Sequence, residues 1–244
     1  MDFSYTTHYC VTPLHADCFG RCKPSSLLRF AQDAAEEHCL LLGADWNTMA
    51  KKNYFWAVIR QRLEISRLPQ THETVTVKTW PMPTTRVAYP RATEGFDEAG
   101  NSLFKIISVW VIMDMTSRAM VLPGKSGVDV AGITYGTELK APGGLPAGTA
   151  EQEVLRTVSY SDLDINGHMN NTRYLDWLCD LLPAAFHKDH PLKAVTVCYM
   201  SEAKEDQQLR LGISQGDTFR VDGSLLGTDV AAGHTRIFSA EAEF

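Results

Sequence analysis

An internal repeat constrains the fold of this chain more strongly than any other feature of the sequence. The alternating segment 209–213 (LRLGI) repeats the pattern of 75–79 (VTVKT) about 134 residues later. The turn-forming residues 232–234 follow residues 99–101 by 133 positions, and each of these turns precedes a long strand-like stretch. Because the offset stays almost constant, the pattern indicates two copies of one folding unit.

Each copy combines a long helix with several strands. In the first copy the sequence predicts a helix over 24–42, capped by a serine and ended by Gly43. In the second copy the helix runs from about Asn170 to Phe186, and Pro183 kinks it or ends it early. Alternating or apolar segments predict strands at 5–14, 57–65, 75–81, 88–96, 103–113, 119–122, 194–200, 209–213 and 235–244.

Two of these strands carry positional signals. Pro90 lies inside 88–96, and a proline predicts a strand at the edge of the sheet or with a bulge. Residues 103–113 are nearly all apolar, which predicts a central strand covered on both faces.

Two copies of a strand, a long helix and several antiparallel strands define an α+β fold. Two such units, each with its sheet curved round its helix, form the arrangement called a double hotdog. We therefore predict tandem repeats at residues 1–122 and 151–244, joined by a linker at 123–150 that is rich in Gly and Pro. The first repeat keeps the long apolar strands and the second contains a polar loop, which suggests a substrate-holding half and a chemistry half.

The composition excludes several classes of function. A net charge of −6 argues against non-specific nucleic-acid binding. No apolar run approaches the roughly 18 residues of a membrane span, and we find no secretory signal, so the six cysteines are expected as reduced thiols in the cytoplasm. We predict no metal, because zinc spacing is not matched by the N-terminal cluster of His8, Cys10, His15, Cys18 and Cys22.

One polar segment, Val158–Asp180, contains the side chains suited to chemistry. Asp164, Asn166 and His168 alternate, and in an extended segment this spacing sends all three side chains to one side. A histidine takes a proton from water near neutral pH, a carboxylate orients it or attacks directly, and an amide holds a carbonyl or a water. The following helix, capped by Asn170 or Asn171, offers N–H groups to an oxyanion.

The same residues also fit a plainer role. Asp and Asn form turns that cap helices, and a histidine can simply fill a gap beside them. Three alternating polar residues that run into a pair of asparagines nevertheless favour hydrolytic chemistry over a capping loop alone.

The segment SDLDINGHMNNTRYLDW closely resembles the signature of the acyl-acyl carrier protein thioesterases, the plant-type enzymes and their bacterial relatives. The family motif reads roughly Asp-x-Asn-x-His-(Val/Met)-Asn-Asn-x-x-Tyr, and it is matched from Asp164 to Tyr174. Thr79-Trp80-Pro81 is similar to a stretch in the family's first repeat. The resemblance implies a double hotdog, in agreement with the internal repeat.

The resemblance also implies further site residues. The family has a Glu in the strand after the second helix, in a Tyr-x-x-Glu-Cys context that Tyr199 to Ala203 matches except at its last residue. Because Ala203 replaces the cysteine, a papain-like cysteine mechanism is excluded. The implied catalytic set is Asp164, Asn166, His168 and Glu202, without a cofactor. Either Asp164 attacks directly, or water is activated by one of Asp164, Glu202 and His168.

The implied reaction is hydrolysis of acyl-acyl carrier protein to free fatty acid and carrier protein in fatty-acid biosynthesis. The implied substrate-binding residues are Asn170 and Asn171, with the acyl tail in the first repeat against Leu27, Ala31 and Trp56. Carrier protein is acidic, so we expect a basic patch among Lys51, Lys52, Arg60, Arg62, Arg67, Arg86 and Arg91. The alternatives are an acyl-coenzyme A thioesterase and a non-catalytic acyl-binding protein, and the oligomeric state stays open between monomer and homodimer.

Overall fold

The structure is a computed structural model that describes residues 3–130, 132–133, 139–227 and 235–244. The chain divides into two compact units, Met1–Pro142 and Gly143–Phe244, so the boundary falls within the predicted linker. None of the helices in the described ranges is long and apolar enough to cross a membrane. The predicted turn at 232–234 lies outside the described residues.

The first unit is an antiparallel sheet with a long helix packed against β1 and β3. Its strands pair in the order β1-β3-β4-β5-β2, and β6 lies beside β5. In chain order its elements are β1 (Tyr5–Cys10), α1 (Pro24–Leu42), α2 (Trp46–Lys51), β2 (Tyr54–Ile65), β3 (Thr74–Pro81), β4 (Tyr89–Phe96), β5 (Ser102–Asp114), β6 (Met120–Val121) and α3 (Pro123–Ser126).

The second unit repeats this plan. Its strands pair in the order β7-β9-β10-β11-β8, which is again first, third, fourth, fifth and second along the unit. Its elements are β7 (Gln152–Thr157), α4 (Arg173–Asp180), α5 (Ala184–Asp189), β8 (Ala194–Tyr199), β9 (Gln208–Gln215), β10 (Phe219–Leu225) and β11 (Arg236–Glu243). The prediction of a duplicated α+β fold built from hotdog units is confirmed.

The first helix has the predicted stop but a different start. Gly43 ends α1 in the left-handed conformation with φ 67°, and its N–H bonds the carbonyls of Cys39 and Leu40. The expected serine cap is wrong: Pro24 occupies the first helical position, so the N-cap is the preceding residue, Lys23. The apolar face of α1 is buried, and it includes Leu27, Leu28, Phe30, Ala31, Ala34 and Ala35.

The second helix is shorter than predicted. It begins at Arg173 after the N-cap residue Thr172, because Asn170 is still part of the preceding turn. Pro183 ends it as expected, since proline cannot supply the next helical hydrogen bond, and α5 starts at the following residue.

The proline in β4 does not mark an edge. β4 lies between β3 and β5, so the edge strand predicted at Pro90 is wrong. The alternative, a strand with a bulge, is met further along, where the β4–β5 register shifts between Gly95 and Phe96. The β3–β4 ladder stops at the pair Pro81–Arg91, and the Pro90 carbonyl accepts the N–H of Met82. Since the ladder has already ended, the missing N–H is tolerated there. The central, largely buried position predicted for 103–113 is confirmed by β5, which lies between β4 and β2.

The linker is less exposed than its composition suggested. Val130 is buried against Ala44, Met49 and Ile112, and Leu139 packs on the cluster around Trp80. Part of the predicted linker therefore contributes to the core of the first unit.

Candidate active site

The polar loop of the second unit is a tight turn. The Asp164 carboxylate accepts the backbone N–H groups of Asn166 at 2.8 Å and His168 at 3.2 Å. The N–H of Asp164 donates to the carbonyl of His168 at 2.8 Å, and Gly167 has φ 73°. The expectation of an extended segment is therefore wrong, because the aspartate folds the chain back on itself.

The imidazole of this loop meets a carboxylate from the next loop. His168 Nε2 lies 3.3 Å from Glu202 Oε2, with side-chain exposures of 16% and 39%. Glu202 follows β8 instead of lying within it. The two loops are tied together beside this contact, since the N–H of Met169 donates to the carbonyl of Ala203 at 2.8 Å.

The four predicted catalytic residues thus form two contacting pairs. One pair is His168 with Glu202. In the other, the exposed Asn166 places its amide nitrogen 3.5 Å from Asp164 Oδ2. The arrangement supplies an imidazole with a carboxylate partner, and an amide on the same turn, which are the groups that water activation and carbonyl binding require.

The two asparagines build the entry to α4. Asn170 Oδ1 accepts the N–H of Thr172 at 2.9 Å and its hydroxyl at 2.7 Å. The carbonyl of Asn171 accepts the Tyr199 hydroxyl at 3.1 Å. The motif tyrosine, Tyr174, is buried against Tyr199 and Phe238. These residues fix the start of α4 beside the site.

An ion-pair cluster that sequence reasoning missed lies under the same turn. Arg173 bonds Asp162 at 2.9 Å and Asp176 at 2.5 Å. Burial lowers the pKa of Arg173, but the charges and hydrogen bonds of these two carboxylates outweigh it, so the pKa is raised above its ordinary value. Asp162 is buried, and its carbonyl accepts the N–H of Asn170. The spacing of Arg173 and Asp176 on one helix face was the available signal.

The first unit contains the same turn without the candidate catalytic side chains. The Asp17 carboxylate accepts the N–H groups of Phe19 at 2.8 Å and Arg21 at 3.0 Å, and Gly20 has φ 76°. The N–H of Asp17 donates to the carbonyl of Arg21 at 2.7 Å. Each of these bonds matches one made by Asp164, which lies 147 residues later.

This correspondence identifies what differs between the copies. Phe19 and Arg21 occupy the positions of Asn166 and His168. The N–H of Cys22 donates to the carbonyl of Pro69 just as that of Met169 donates to Ala203, which makes Leu68 the counterpart of Glu202. The turn is a feature of the fold, whereas the amide, the imidazole and the second carboxylate occur only in the second unit.

The residues expected to hold the acyl tail lie in the first unit. Leu27 and Ala31 are buried on α1, and Trp56 is half-buried, with its ring N–H donating to the carbonyl of Ala44 at 2.8 Å. The prediction that Arg91 belongs to a basic surface patch is wrong, because Arg91 is buried and bonded to His38. Its strand is central and its side chain points towards α1.

All six cysteines are free. Cys198 is buried and its thiol donates to the carbonyl of Gly143 at 3.6 Å, while Ala203 is buried at the position where the family has cysteine. Over the described ranges, no group of three or more His, Cys, Asp and Glu side chains is arranged to hold a metal ion.

Comparison with known proteins places the chain in a family. The model of the acyl-ACP thioesterase N-terminal domain matches residues 2–122, and that of the C-terminal domain matches residues 147–230. The palmitoyl-acyl carrier protein thioesterase of Gossypium hirsutum is 29% identical over 200 residues, which cover 76% of this chain and 48% of that protein. An acyl-[acyl-carrier-protein] hydrolase of Cuphea viscosissima is 25% identical over 233 residues, which cover 86% and 56%.

The chain spans about half the length of these curated relatives. A crystal structure of an acyl-ACP thioesterase from Bacteroides thetaiotaomicron has the same fold, with a TM-score of 0.87, 23% identity and coverage of 99% of this chain and 97% of that chain. Because the two family models together match most of the sequence, the chain belongs to the acyl-ACP thioesterase family.

Proposed function

We propose that the protein hydrolyses the thioester of acyl-acyl carrier protein, releasing a free fatty acid and the carrier-protein thiol in fatty-acid biosynthesis. The observation that carries this proposal is the 3.3 Å contact between His168 Nε2 and Glu202 Oε2. It joins two loops of the second unit, and the equivalent positions of the first unit are Arg21 and Leu68. Family membership supplies the substrate class.

In the proposed reaction the His168–Glu202 pair activates water. Glu202 accepts the Nε2 hydrogen of the imidazole, which leaves the other ring nitrogen to take a proton from water. The resulting hydroxide attacks the thioester carbonyl and forms a tetrahedral oxyanion. When this intermediate collapses, the carbon–sulfur bond breaks and the proton held by His168 passes to the departing thiolate.

The remaining residues position these groups. Asp164 already accepts two backbone N–H groups, so we assign it to holding the turn and not to nucleophilic attack. Asn166, exposed on the same turn, holds the carbonyl or the attacking water. Asn170 and Asn171 set the start of α4. Its first-turn N–H groups are not assigned to the oxyanion, because those of Arg173 and Leu175 donate to the carbonyls of Asn170 and Thr172. The acyl tail occupies the first unit near Leu27, Ala31 and Trp56.

Carrier protein is the proposed macromolecular partner. Its acidic surface fits basic side chains of the first unit, of which Lys51, Lys52 and Arg86 are exposed. Arg62 and Arg67 are less available because they pair with Glu64 and Glu73. The free cysteines fit a reducing compartment such as the cytoplasm.

The test is thiol release from matched acyl-acyl carrier protein and acyl-coenzyme A esters over a range of chain lengths. We expect hydrolysis with a higher kcat/KM for the carrier-protein esters. Equal kcat/KM for both donors would favour an acyl-coenzyme A thioesterase, and binding without thiol release would favour a non-catalytic acyl-binding protein. His168→Ala and Glu202→Gln should each lower kcat by roughly 100-fold or more, and the double variant should lose little beyond either one.

A further inference from the structure

The sheet of the second unit ends in an exposed strand. β7 is the outermost strand and pairs with β9 in six consecutive pairs, from Gln152 to Thr157, without a register shift. Five of its six residues are exposed, and they include Val154 at 38% and Leu155 at 57%. A strand of this kind is a template on which another strand can pair.

The backbone of β7 leaves one row of polar groups open. The ladder with β9 continues at Val158, whose N–H donates to the carbonyl of Gln207 at 3.0 Å, so every second residue counted back from Val158 bonds β9. The residues between them turn their N–H and carbonyl groups to the open edge, and they are Glu153, Leu155 and Thr157. Outside the β7–β9 ladder, the described residues offer these three no backbone partner.

The matching strand of the first unit is better protected. The N–H of Val11 donates to the carbonyl of Glu73 just as that of Val158 donates to Gln207, which makes His8 the counterpart of Leu155. β1 packs against α1, and only every second one of its residues is exposed. The exposed row is polar, with Thr6, His8 and Cys10, whereas β7 has a leucine at its centre.

β7 also lacks residues that commonly keep sheet edges apart. Its sequence contains no proline and no lysine. Its one acid, Glu153, lies 3.7 Å from Arg210 of β9, and its one arginine, Arg156, bonds Asp180 at 2.9 Å. Because both charges are balanced within the unit, the edge offers little repulsion to a second copy of itself.

A second copy fits this edge with a two-fold axis at Leu155. Antiparallel pairing about that axis places Leu155 opposite Leu155 of the second copy, and Glu153 opposite its Thr157. The three open residues of each copy then form about six hydrogen bonds, two for each pair, and no like charges lie directly opposite. An axis at Val154 would form fewer bonds, because Thr157 would lie beyond the end of the opposite strand.

We propose that two copies of the chain associate through β7, with the two strands antiparallel and Leu155 at the two-fold axis. The two Leu155 side chains cover each other on one face of the joined sheet. On the other face, Val154 packs against the aliphatic part of Arg156 of the second copy. This inference goes beyond the proposed hydrolysis, because the interface contains none of the candidate catalytic residues and requires no turnover.

Sedimentation velocity of the full chain, at concentrations from about 1 to 100 μM, tests the interface. We expect a dimer whose fraction rises with concentration. Leu155→Lys places two like charges opposite each other and should raise the Kd of the dimer by at least about tenfold. His8→Lys, the matched change in β1, and His168→Ala should leave that Kd unchanged.

A cysteine at the axis tests the register. Opposite residues of a hydrogen-bonded pair have Cα atoms about 5.5 Å apart, which is within the range of disulfides. Mild oxidation of Leu155→Cys should therefore give a linked dimer on a non-reducing gel, and mass spectrometry should find a 155–155 link. Val154→Cys should give no 154–154 link, and the wild type, with six free cysteines, provides the background.

A wild type that stays monomeric over the whole concentration range would overturn the proposal. An unchanged Kd in Leu155→Lys, or an equal rise in His8→Lys, would also contradict it, and a 154–154 link without a 155–155 link would refute the register. If Leu155→Lys does not fold, Leu155→Pro serves instead. Proline there removes an N–H that faces the open edge and leaves the bonds to β9 intact, so an undiminished dimer in that variant would again contradict the interface.

Discussion

Asp17 and Asp164 make the same pair of hydrogen bonds, each accepting the backbone N–H groups two and four residues further along the chain. One of these turns leads to an arginine and the other to the histidine of the candidate active site. The shared geometry separates the role of the aspartate from that of the residues that follow it.

A pair of substitutions at Asp164 tests its assignment as a positioning residue. Asp164→Asn keeps a side-chain oxygen that accepts both N–H groups, so kcat should stay within about tenfold of wild type. Asp164→Ala loses the turn and should lower kcat by about 100-fold while the protein remains folded. Asp17→Ala is the matched control and should leave kcat nearly unchanged. Equal losses in the Asn and Ala variants would mean that the carboxylate itself takes part in the reaction.

The cluster around Arg173 should stabilise the second unit. Arg173→Met leaves the buried Asp162 without its cation, and we expect a loss of about 1–3 kcal/mol in the free energy of unfolding, measured by urea denaturation. Arg210→Met removes a more exposed pair with Glu153 and should cost less than about 0.5 kcal/mol. Comparable losses in the two variants would contradict a special role for the cluster.

Gly223, which lies under the ring of Phe238, should be intolerant of any side chain. A Cβ on Gly223 would overlap the ring of Phe238, so Gly223→Ala should cost about 1–3 kcal/mol. Gly216→Ala meets no atom within 4 Å and should stay within about 0.5 kcal/mol of wild type. Thermal denaturation compares them, and an unchanged melting temperature for Gly223→Ala would show that the two strands are not packed as described.

Asp45 should contribute stability that depends on pH. It is the N-cap of α2, and hydrogen bonds from the hydroxyl and N–H of Thr48 and from the N–H of Asn47 hold its pKa below the ordinary value of 3.8. Because the pKa is lower in the folded state, the stabilisation is complete above the unfolded value and is lost as pH falls through the folded one.

Urea denaturation of Asp45→Ala at two pH values measures this contribution. We expect a loss of about 1 kcal/mol at pH 7, with a smaller difference from wild type near pH 2.5. Glu205→Ala, a change at an exposed acid, provides the baseline. A difference that did not shrink on acidification would show that the charge of Asp45 plays no part.

Much of the fold was predictable because its signals are local and repeated. Gly43 and Pro183 ended helices as their backbone chemistry requires, and the long apolar run in β5 reported its central position. Short elements such as α2, with six residues, are too brief to show a period. Pro90 led to the wrong prediction of an edge strand, because a proline fits within a central strand when the neighbouring ladder stops before it.

The sequence singled out the residues of the candidate site, but it did not predict their geometry. The alternation of Asp164, Asn166 and His168 matches an extended strand, yet the aspartate and Gly167 fold a turn. Nothing local relates His168 to Glu202, which lies 34 residues further on. Only the resemblance indicated that pairing, and the burial of Arg91 likewise depends on tertiary packing that the sequence does not display.

The most direct test of the account compares the two copies of the turn. Single-turnover hydrolysis of an acyl-acyl carrier protein should slow by roughly 100-fold or more in His168→Ala, because the base is lost. The same rate should stay within about twofold of wild type in Arg21→Ala, the equivalent change in the first unit. An unchanged rate in His168→Ala, or an equal loss in both variants, would contradict the assignment of the chemistry to the second unit.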